Sequence, residues 1–398
     1  MRNPPDPAES HDRDLPAEFT GLLASHGVSR RRFLQYCAGL TATLALPSRM
    51  SASLADGLAR AATASGPHRV VWLEFQDCAG CTESFLRGQD PDVATLVLGM
   101  ISLDYQETLM AAAGHQAEQA RQAAIAKPGY LLIVEGSIPH GDLPGACTIG
   151  GRSASDLLAE SARNAAAIVA VGTCASFGGI PAANPNPTGA VPAQNLVSGV
   201  PLINVSGCPP NGDNIAATIA HWVSFGGLPA ADELGRPLFA YGDRIHDHCD
   251  RRAYFDAGMF ATEFGDQAHA DGWCLYKLGC KGPSTFHNCP TLRWNEGTSW
   301  PVDAGHGCIG CSQPRFWDTM TPFYSTLPNV SGFGAEATAD QIGEAVVIGT
   351  AALFAAHGVG KAVQHRLAGR QEHRPGPSSK ADDVADGEAA ADAAGDST

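Results

Sequence analysis

The feature that most constrains this 398-residue chain is a dense run of cysteines between positions 246 and 311. The six cysteines are Cys249, Cys274, Cys280, Cys289, Cys308 and Cys311, and His246 stands three residues before the first of them. Glycines and aromatic residues occupy much of the sequence between them. Ordinary packing does not explain so many thiols in so short a stretch. Thiolates are soft metal ligands, and in this number they point to iron–sulfur clusters.

The whole chain contains twelve cysteines. Cys37 falls within a predicted N-terminal signal, and the eleven that remain are an awkward number for a pure disulfide framework. An exported disulfide protein nevertheless stays an alternative. A charged fraction of 17 %, with 45 glycines and 27 prolines, favours a loop-rich protein partly covered by a partner or cofactor. The formal net charge of −15 argues against nucleic acid as a partner.

The N-terminal 64 residues are predicted to be a twin-arginine export signal. Ser29-Arg30-Arg31-Arg32-Phe33-Leu34 precedes an apolar run, Ala38–Pro47, that is too short for a stable membrane span. We place a cleavage site after Ala62-Thr63-Ala64. The Tat machinery carries folded proteins, so any cofactor has to be inserted in the cytoplasm before export.

The C-terminal end is predicted to hold a membrane anchor at residues 341–363, followed by a disordered cytoplasmic tail at 364–398. The run Ala345–Gly360 has no charge apart from neutral His357, and with its flanks it approaches the length of a bilayer. Basic residues follow it at Lys361, Arg366, Arg370 and Arg374, which places that end in the cytoplasm. A buried or amphipathic helix remains the alternative.

Residues 65–235 are predicted to form an α/β domain with a parallel, doubly wound sheet. Short apolar strands are expected at Arg69–Phe75, Tyr130–Val134, Ala167–Val171 and Pro201–Val205. Helices are expected at Leu109–Ala126, around Ser155–Asn164 and at Ile215–Val223, and Thr82 is expected to cap a short helix. Strands that alternate with helices favour this architecture.

Four cysteines come directly after these strands: Cys78, Cys81, Cys174 and Cys208. The carboxyl ends of parallel strands share one sheet edge, so these thiols are expected to converge there. Four thiolates fit a [4Fe–4S] cluster. Glycines that would let the backbone close around it are Gly172, Gly178, Gly179 and Gly207. Cys78-x-x-Cys81 alone would equally suit a redox pair or half a zinc site. Cys147 is interpreted as a free structural thiol.

Residues 236–330 are predicted to form a loop-rich domain with two further clusters. The first set of ligands is His246, Cys249, Cys274 and Cys280, and the second is Cys289, Cys308 and Cys311. Three thiolates without a fourth suit a [3Fe–4S] centre, and neither Trp300 nor Pro301 supplies a replacement. A zinc site fits the Cys₃His set equally well locally. Three other histidines are interpreted as hydrogen-bond donors behind the ligands or as satisfied polar groups: His248, His287 and His306.

No catalytic residues stand out in the sequence. It shows neither a Ser/His/Asp set, nor a paired-carboxylate site, nor a phosphate loop, and Gly178-Gly179 is not a nucleotide fingerprint. The chemistry on substrate is therefore expected to take place on another chain.

At this point the chain resembles the small subunit of a membrane-bound, uptake-type [NiFe] hydrogenase. The residues that carry the resemblance are Cys78-x-x-Cys81-Thr82-Glu83-Ser84, Gly172-Thr173-Cys174-Ala175, Gly207-Cys208-Pro209-Pro210, Tyr241–Cys249, Cys274–Pro283 and Gly305–Cys311. The resemblance implies a flavodoxin-like first domain. It also implies a large subunit that carries nickel and iron and cleaves hydrogen, and a membrane cytochrome b or similar partner that passes electrons to quinone. The protein would sit on the periplasmic side of the inner membrane.

The resemblance also implies a role for each set of ligands. Cys78, Cys81, Cys174 and Cys208 would hold the proximal [4Fe–4S] cluster, nearest the nickel–iron site. His246, Cys249, Cys274 and Cys280 would hold the distal [4Fe–4S] cluster near the surface. Cys289, Cys308 and Cys311 would hold the medial [3Fe–4S] cluster.

Two rival readings stay open on the sequence. A respiratory complex I-type subunit shares the first-domain cysteines but would lack the region from Cys249 to Cys311. A zinc or disulfide protein would be colourless, whereas an iron–sulfur protein is brown.

Oxygen-tolerant relatives of the resembled family carry extra cysteines at places that here look to be Gly80 and Gly179. We therefore expect an enzyme that air inactivates.

Overall fold

The computed structural model describes residues 15–25, 28–63, 68–88, 101–327 and 336–371, with side chains of the last range described for 346–364. The chain divides into one compact unit, Met1–Phe333, and a C-terminal unit, Gly334–Thr398. All twelve cysteines lie in the first unit. The predicted boundary near residue 235 lies inside this unit.

Three helices stand before the sheet: α1 (Ala17–Ser25), α2 (Arg30–Thr43) and α3 (Ser51–Thr63). Ser29 caps α2, because its hydroxyl accepts a hydrogen bond from the Arg32 amide at 3.2 Å. The helix therefore begins at Arg30, and the twin arginines lie in its first turn. Phe33 and Leu40 on α2 are buried in one apolar core with residues of the sheet. The predicted cleavage site falls at the end of α3, and Ala64 lies outside the described residues.

The first unit contains a five-stranded parallel sheet. Its strands are β1 (His68–Glu74), β2 (Ile101–Gln106), β3 (Tyr130–Glu135), β4 (Ala165–Val171) and β5 (Leu202–Val205). They lie in the order β2-β1-β3-β4-β5, which is the flavodoxin-like order, and the predicted parallel sheet is confirmed. Short antiparallel pairs join Ile138–Pro139 to Ala190–Val191 and Thr148–Ile149 to Arg152–Ser153.

Helices cover both faces of the sheet. They are α4 (Gly80–Leu86), α5 (His115–Ile125), α6 (Ala154–Ala162), α7 (Gly172–Phe177) and α8 (Gly212–Phe225). Successive strand residues point to opposite faces, so Val70 packs in the core that contains α8 and Val71 packs in the core that contains α5 and α6. Every residue of β3 is buried, as expected for a central parallel strand.

Two local predictions were wrong, and one strand was missed. The helix predicted from Leu109 begins only at His115, because Gly114 adopts φ 58° and ψ −130°, which is not helical. The edge strand β2 was not predicted, since its sequence ISLDYQ is half polar and its middle residues are only partly buried. Thr82 does not cap α4, which begins two residues earlier, and the Thr82 hydroxyl instead donates to buried carboxylates.

The cysteine-rich region, which follows α8, consists of single helical turns and loops. Its helices are α9 (Leu238–Tyr241), α10 (Arg252–Asp256), α11 (Gln267–Ala270), α12 (Cys289–Leu292) and α13 (Phe316–Thr319), and 3₁₀ turns lie at Ile245–His248, Tyr276–Leu278 and Gly282–Ser284. Side chains tie it to the sheet domain: the Ser206 hydroxyl donates to the Ser312 carbonyl at 2.9 Å, and Tyr241 donates to the Ser206 carbonyl at 2.5 Å. The predicted loop-rich character is therefore what the structure shows.

The C-terminal unit contains one long helix, α14 (Glu336–Gln371). Its segment Val346–Gln364 has a mean hydropathy of 1.6 over 19 residues and is long and apolar enough to cross a bilayer. The described side chains of this segment are exposed. The helix continues to Gln371, so the first part of the tail predicted to be disordered, residues 364–371, is helical instead. The rest of that tail, including Arg374, lies outside the described residues.

Candidate metal centres

Four thiols meet at the carboxyl edge of the sheet. Cys78 and Cys81 follow β1, Cys174 lies in α7 directly after β4, and Cys208 follows β5. Burial raises the pKa of the Cys81 thiol well above its ordinary value, and negative charge on Glu135 and on the other three cysteines raises it further. Burial, together with negative charge on neighbouring cysteines, raises the pKa of Cys208 to about 12. All twelve cysteines are free thiols. In this site, deprotonation of several cysteines is unfavourable unless a positive charge balances the thiolates. A cationic metal group would supply that charge and stabilise them.

Two glycines give these thiols their space. A Cβ atom on Gly172, where φ is +88°, would lie 2.5 Å from the Cys81 sulfur, and one on Gly179 would lie 2.6 Å from the Cys174 sulfur. The other two predicted cradle glycines serve the chain itself. A Cβ on Gly178 would meet Ala182, and one on Gly207 would meet the backbone of Pro210. Close approach to the sulfur atoms thus depends on Gly172 and Gly179.

A buried carboxylate fixes the turn that presents Cys81. Glu135 ends β3 and accepts hydrogen bonds from the Cys81 amide at 3.0 Å, from the Thr82 hydroxyl at 2.6 Å and from the Trp72 indole at 3.1 Å. Burial raises the pKa of Glu135 to about 7, and the charges of Asp77 and Glu74 also raise it. Sequence reasoning missed this residue. Its signal was an acidic residue at the end of a strand that is otherwise uncharged.

The second group of ligands lines one cavity: His246, Cys249, Cys274 and Cys280. His246 is 5 % exposed, and among the described residues its Nε2 has no hydrogen-bond partner. Burial lowers the pKa of His246 to about 4, so the ring is neutral at neutral pH. The ring of Phe255 packs edge-on against it at 4.5 Å. A buried neutral imidazole with an unused nitrogen beside three thiols is a fitting metal ligand.

The third group of thiols lines another cavity, which Pro301 and Trp300 also border: Cys289, Cys308 and Cys311. His287 is buried against this group, and its Nδ1 lies 3.0 Å from the Cys289 sulfur. Burial lowers the pKa of His287 to about 3, so the neutral ring can donate a hydrogen bond to the sulfur. The other two histidines are engaged elsewhere: His248 with Asp243 and His306 with the Gly307 carbonyl.

The third group lies between the other two. On one side, the Thr173 hydroxyl accepts from the Gly207 amide at 2.9 Å and donates to the carbonyl of Cys311. On the other side, the Cys308 amide donates to the Cys280 sulfur at 3.3 Å. Hydrogen bonds therefore connect the three groups in a row. The group that comes last in the sequence lies in the middle of this row.

Cys147 remains outside the row. It is half-buried, its side chain packs against the apolar core that contains α6, and its carbonyl accepts from the Ala154 amide at 3.0 Å. Burial raises the pKa of the Cys147 thiol. These contacts agree with its interpretation as a structural thiol.

Comparison with known proteins decides the family. Residues 241–324 match the C-terminal family model of the "NiFe/NiFeSe hydrogenase small subunit". The quinone-reactive Ni/Fe-hydrogenase small chain of Wolinella succinogenes is 48 % identical over 348 residues, covering 85 % of this chain and 97 % of the relative. The chain belongs to the [NiFe] hydrogenase small subunits. It is thus the electron-transfer partner of a nickel–iron large subunit, and its family binds iron–sulfur clusters.

Other relatives agree with this assignment. The uptake hydrogenase small subunit of Afipia carboxidovorans is 45 % identical over 355 residues, covering 89 % of this small subunit and 95 % of the relative. The [NiFeSe]-hydrogenase structure from Dm. baculatum has a TM-score of 0.61 at 34 % identity and covers 66 % of this chain and 100 % of that one.

The complex I reading accounts for only part of the chain. Residues 78–222 match the family "NADH ubiquinone oxidoreductase, 20 Kd subunit". This range contains the thiols at the sheet edge but neither of the other two groups. The match at residues 241–324 therefore separates this small subunit from a complex I-type subunit.

Proposed function

We propose that this small subunit binds three iron–sulfur clusters in a row. Cys78, Cys81, Cys174 and Cys208 hold a proximal [4Fe–4S] cluster; His246, Cys249, Cys274 and Cys280 hold a distal one; and Cys289, Cys308 and Cys311 hold a medial [3Fe–4S] cluster. The observation that carries the proposal is the hydrogen-bonded row of three ligand groups, with the three-thiol group in the middle. A zinc site at one group would not account for the row.

When bound, the clusters supply one-electron transfer between the nickel–iron site of the large subunit and an external acceptor. The residues of this chain hold that path in place. Glu135 fixes the backbone at Cys81, and the neutral ring of His287 lies where it can donate to the Cys289 sulfur. The unused nitrogen of His246 serves as a neutral ligand. Substrate chemistry stays on the large subunit.

We further propose that the protein is anchored on the periplasmic side of the inner membrane and delivers electrons to quinone through a cytochrome b or similar partner. The apolar segment Val346–Gln364 and the twin arginines in α2 support the anchor and Tat export. The Wolinella succinogenes relative is named quinone-reactive, which supports the acceptor.

The test is to purify the chain with its large subunit and to measure iron, acid-labile sulfide and EPR spectra. We expect a brown protein with an oxidised-state [3Fe–4S] signal. Cys289→Ser is expected to remove that signal, whereas the control Cys147→Ser keeps it. Zinc in place of iron, or an unchanged signal in Cys289→Ser, would contradict the proposal.

A further inference from the structure

Lys281 is a buried cation in the cysteine-rich region. The residue is 2 % exposed, and its Nζ donates hydrogen bonds to the carbonyls of Pro322, at 2.9 Å, and Ser325. In the part of the chain that the structure describes, no carboxylate lies within ion-pair distance of this ammonium. Burying a charged group without a countercharge is costly, and neutral carbonyls compensate only in part. The position of Lys281 therefore calls for a negative group that the polypeptide alone does not supply.

Lys281 lies between two of the three ligand groups. It directly follows Cys280, and its amide donates to the Cys308 carbonyl at 2.7 Å. The Cys308 amide in turn donates to the Cys280 sulfur at 3.3 Å. The ammonium also lies within electrostatic reach of both thiols. Of the described residues, this lysine is thus placed to act on the second and third groups together.

The missing negative charge follows from the proposed ligands. Three thiolates outweigh the positive charge of either cluster core, so both sites are net negative, and reduction adds one more electron. A nearby cation stabilises the reduced form more than the oxidised form, and low exposure limits screening by water. The cation therefore raises the reduction potential of both sites.

We propose that the buried positive charge of Lys281 raises the reduction potentials of both the medial and the distal cluster. The proposal rests on the cluster assignment made above. Its alternative is a purely structural role, in which the lysine only ties the segment Pro322–Ser325 to the loop. The segment Pro322–Ser325 does pack closely against this loop. A Cβ on Gly279, two residues before Lys281, would lie 2.2 Å from the Phe323 carbonyl oxygen.

The experiment is an EPR-monitored redox titration of the purified complex of small and large subunits, with Lys281→Met and Lys281→Arg. For Lys281→Met we expect the signals of both clusters at full intensity. At a fixed potential, the ratio of oxidised to reduced form should rise about tenfold at each cluster, a fall of about 59 mV for a one-electron couple. Lys281→Arg keeps the charge and is expected to stay close to the wild type.

Lys277→Met is the matched control. Lys277 lies in the same loop and carries the same charge, but it is exposed, with its Nζ 5.1 Å from the ring centre of Phe260. Water and salt screen an exposed charge, so its removal is expected to change the ratio less than twofold. Full signals with unchanged midpoints in Lys281→Met would overturn the proposal.

If Lys281→Met loses its clusters, Lys281→Gln serves as the neutral variant to compare with Lys281→Arg, because glutamine keeps an N–H donor but carries no charge. A low potential in Lys281→Gln with a normal one in Lys281→Arg supports tuning by charge, and equal potentials overturn it. Assembly with arginine but with neither neutral variant is the result expected of the structural role and overturns the proposal. Absence of the cluster signals in the wild type would instead refute the cluster assignment.

Discussion

Replacing Gly172 with alanine is expected to remove the proximal cluster while leaving the other two in place. Gly172 begins α7 directly after β4, at φ +88°. An alanine Cβ there would lie 2.5 Å from the Cys81 sulfur. The backbone cannot rotate away freely, because the next residue, Thr173, donates its amide to the Gly207 carbonyl at 2.8 Å. Either the turn or the Cys81 side chain has to move.

The size of the effect follows from two costs at Gly172. A positive φ costs an L-residue roughly 1–2 kcal/mol, and forcing an extra methyl into a packed site typically costs about 1–3 kcal/mol. Their sum is roughly 2–5 kcal/mol, and since each 1.4 kcal/mol is tenfold, the ligand geometry at Cys81 is disfavoured by a factor of roughly 30 to a few thousand. That is enough to deplete a cluster that needs all four thiols.

The assay is iron analysis together with EPR on the purified complex. Gly172→Ala is expected to lose roughly four irons per small subunit, the content of one cubane, and to keep the oxidised [3Fe–4S] signal. Gly227→Ala is the control, because a Cβ there would meet no heavy atom within 4 Å. A full iron content with normal hydrogen oxidation in Gly172→Ala would refute the reasoning about close approach to Cys81.

Three further outcomes are expected. Replacing Arg30 and Arg31 with lysines leaves cluster-bearing protein in the cytoplasm, because the arginines are read by the export receptor; normal periplasmic activity in fractionated cells would contradict this. His246→Gly slows electron transfer to external acceptors but spares hydrogen–deuterium exchange at the nickel site, and equal loss of both would make His246 structural. Air inactivates the wild-type enzyme reversibly, since Gly80 and Gly179 supply no extra thiolates at the Cys78 and Cys174 sulfurs; sustained film-voltammetric current under oxygen would show otherwise.

Much of the sheet could be predicted from the sequence, because strands buried on both faces appear as continuous apolar runs. The predicted strand Tyr130–Val134 lies within β3, and the predicted Ala167–Val171 lies within β4. The thiols at the sheet edge were predictable for the same reason, since each follows such a run. The edge strand β2 escaped prediction because solvent replaces one of its neighbours, so its sequence need not be apolar.

The arrangement of the site was less predictable. Chain order gives no sign that the group of Cys289, Cys308 and Cys311 lies between the other two, because that depends on how the loops fold back onto the sheet. Buried polar residues such as Glu135 and Lys281 were missed as well. Their importance depends on which groups surround them, and a single charged letter in the sequence does not show that.

Under the cluster assignment proposed above, the cysteine-rich region depends on its clusters for its fold. Its helices are four or five residues long, far below the length at which a helix is stable alone. Its apolar core is small and includes Cys289, with Cys249, Cys280 and Cys308 packed against it, so the ligands are part of the core itself. When ligands form the core, binding of the metal group and folding are the same step. Under the proposed assignment, the folded state that the Tat machinery requires is reached in this region only after the clusters are inserted. Export and cluster insertion are therefore coupled through the stability of this region.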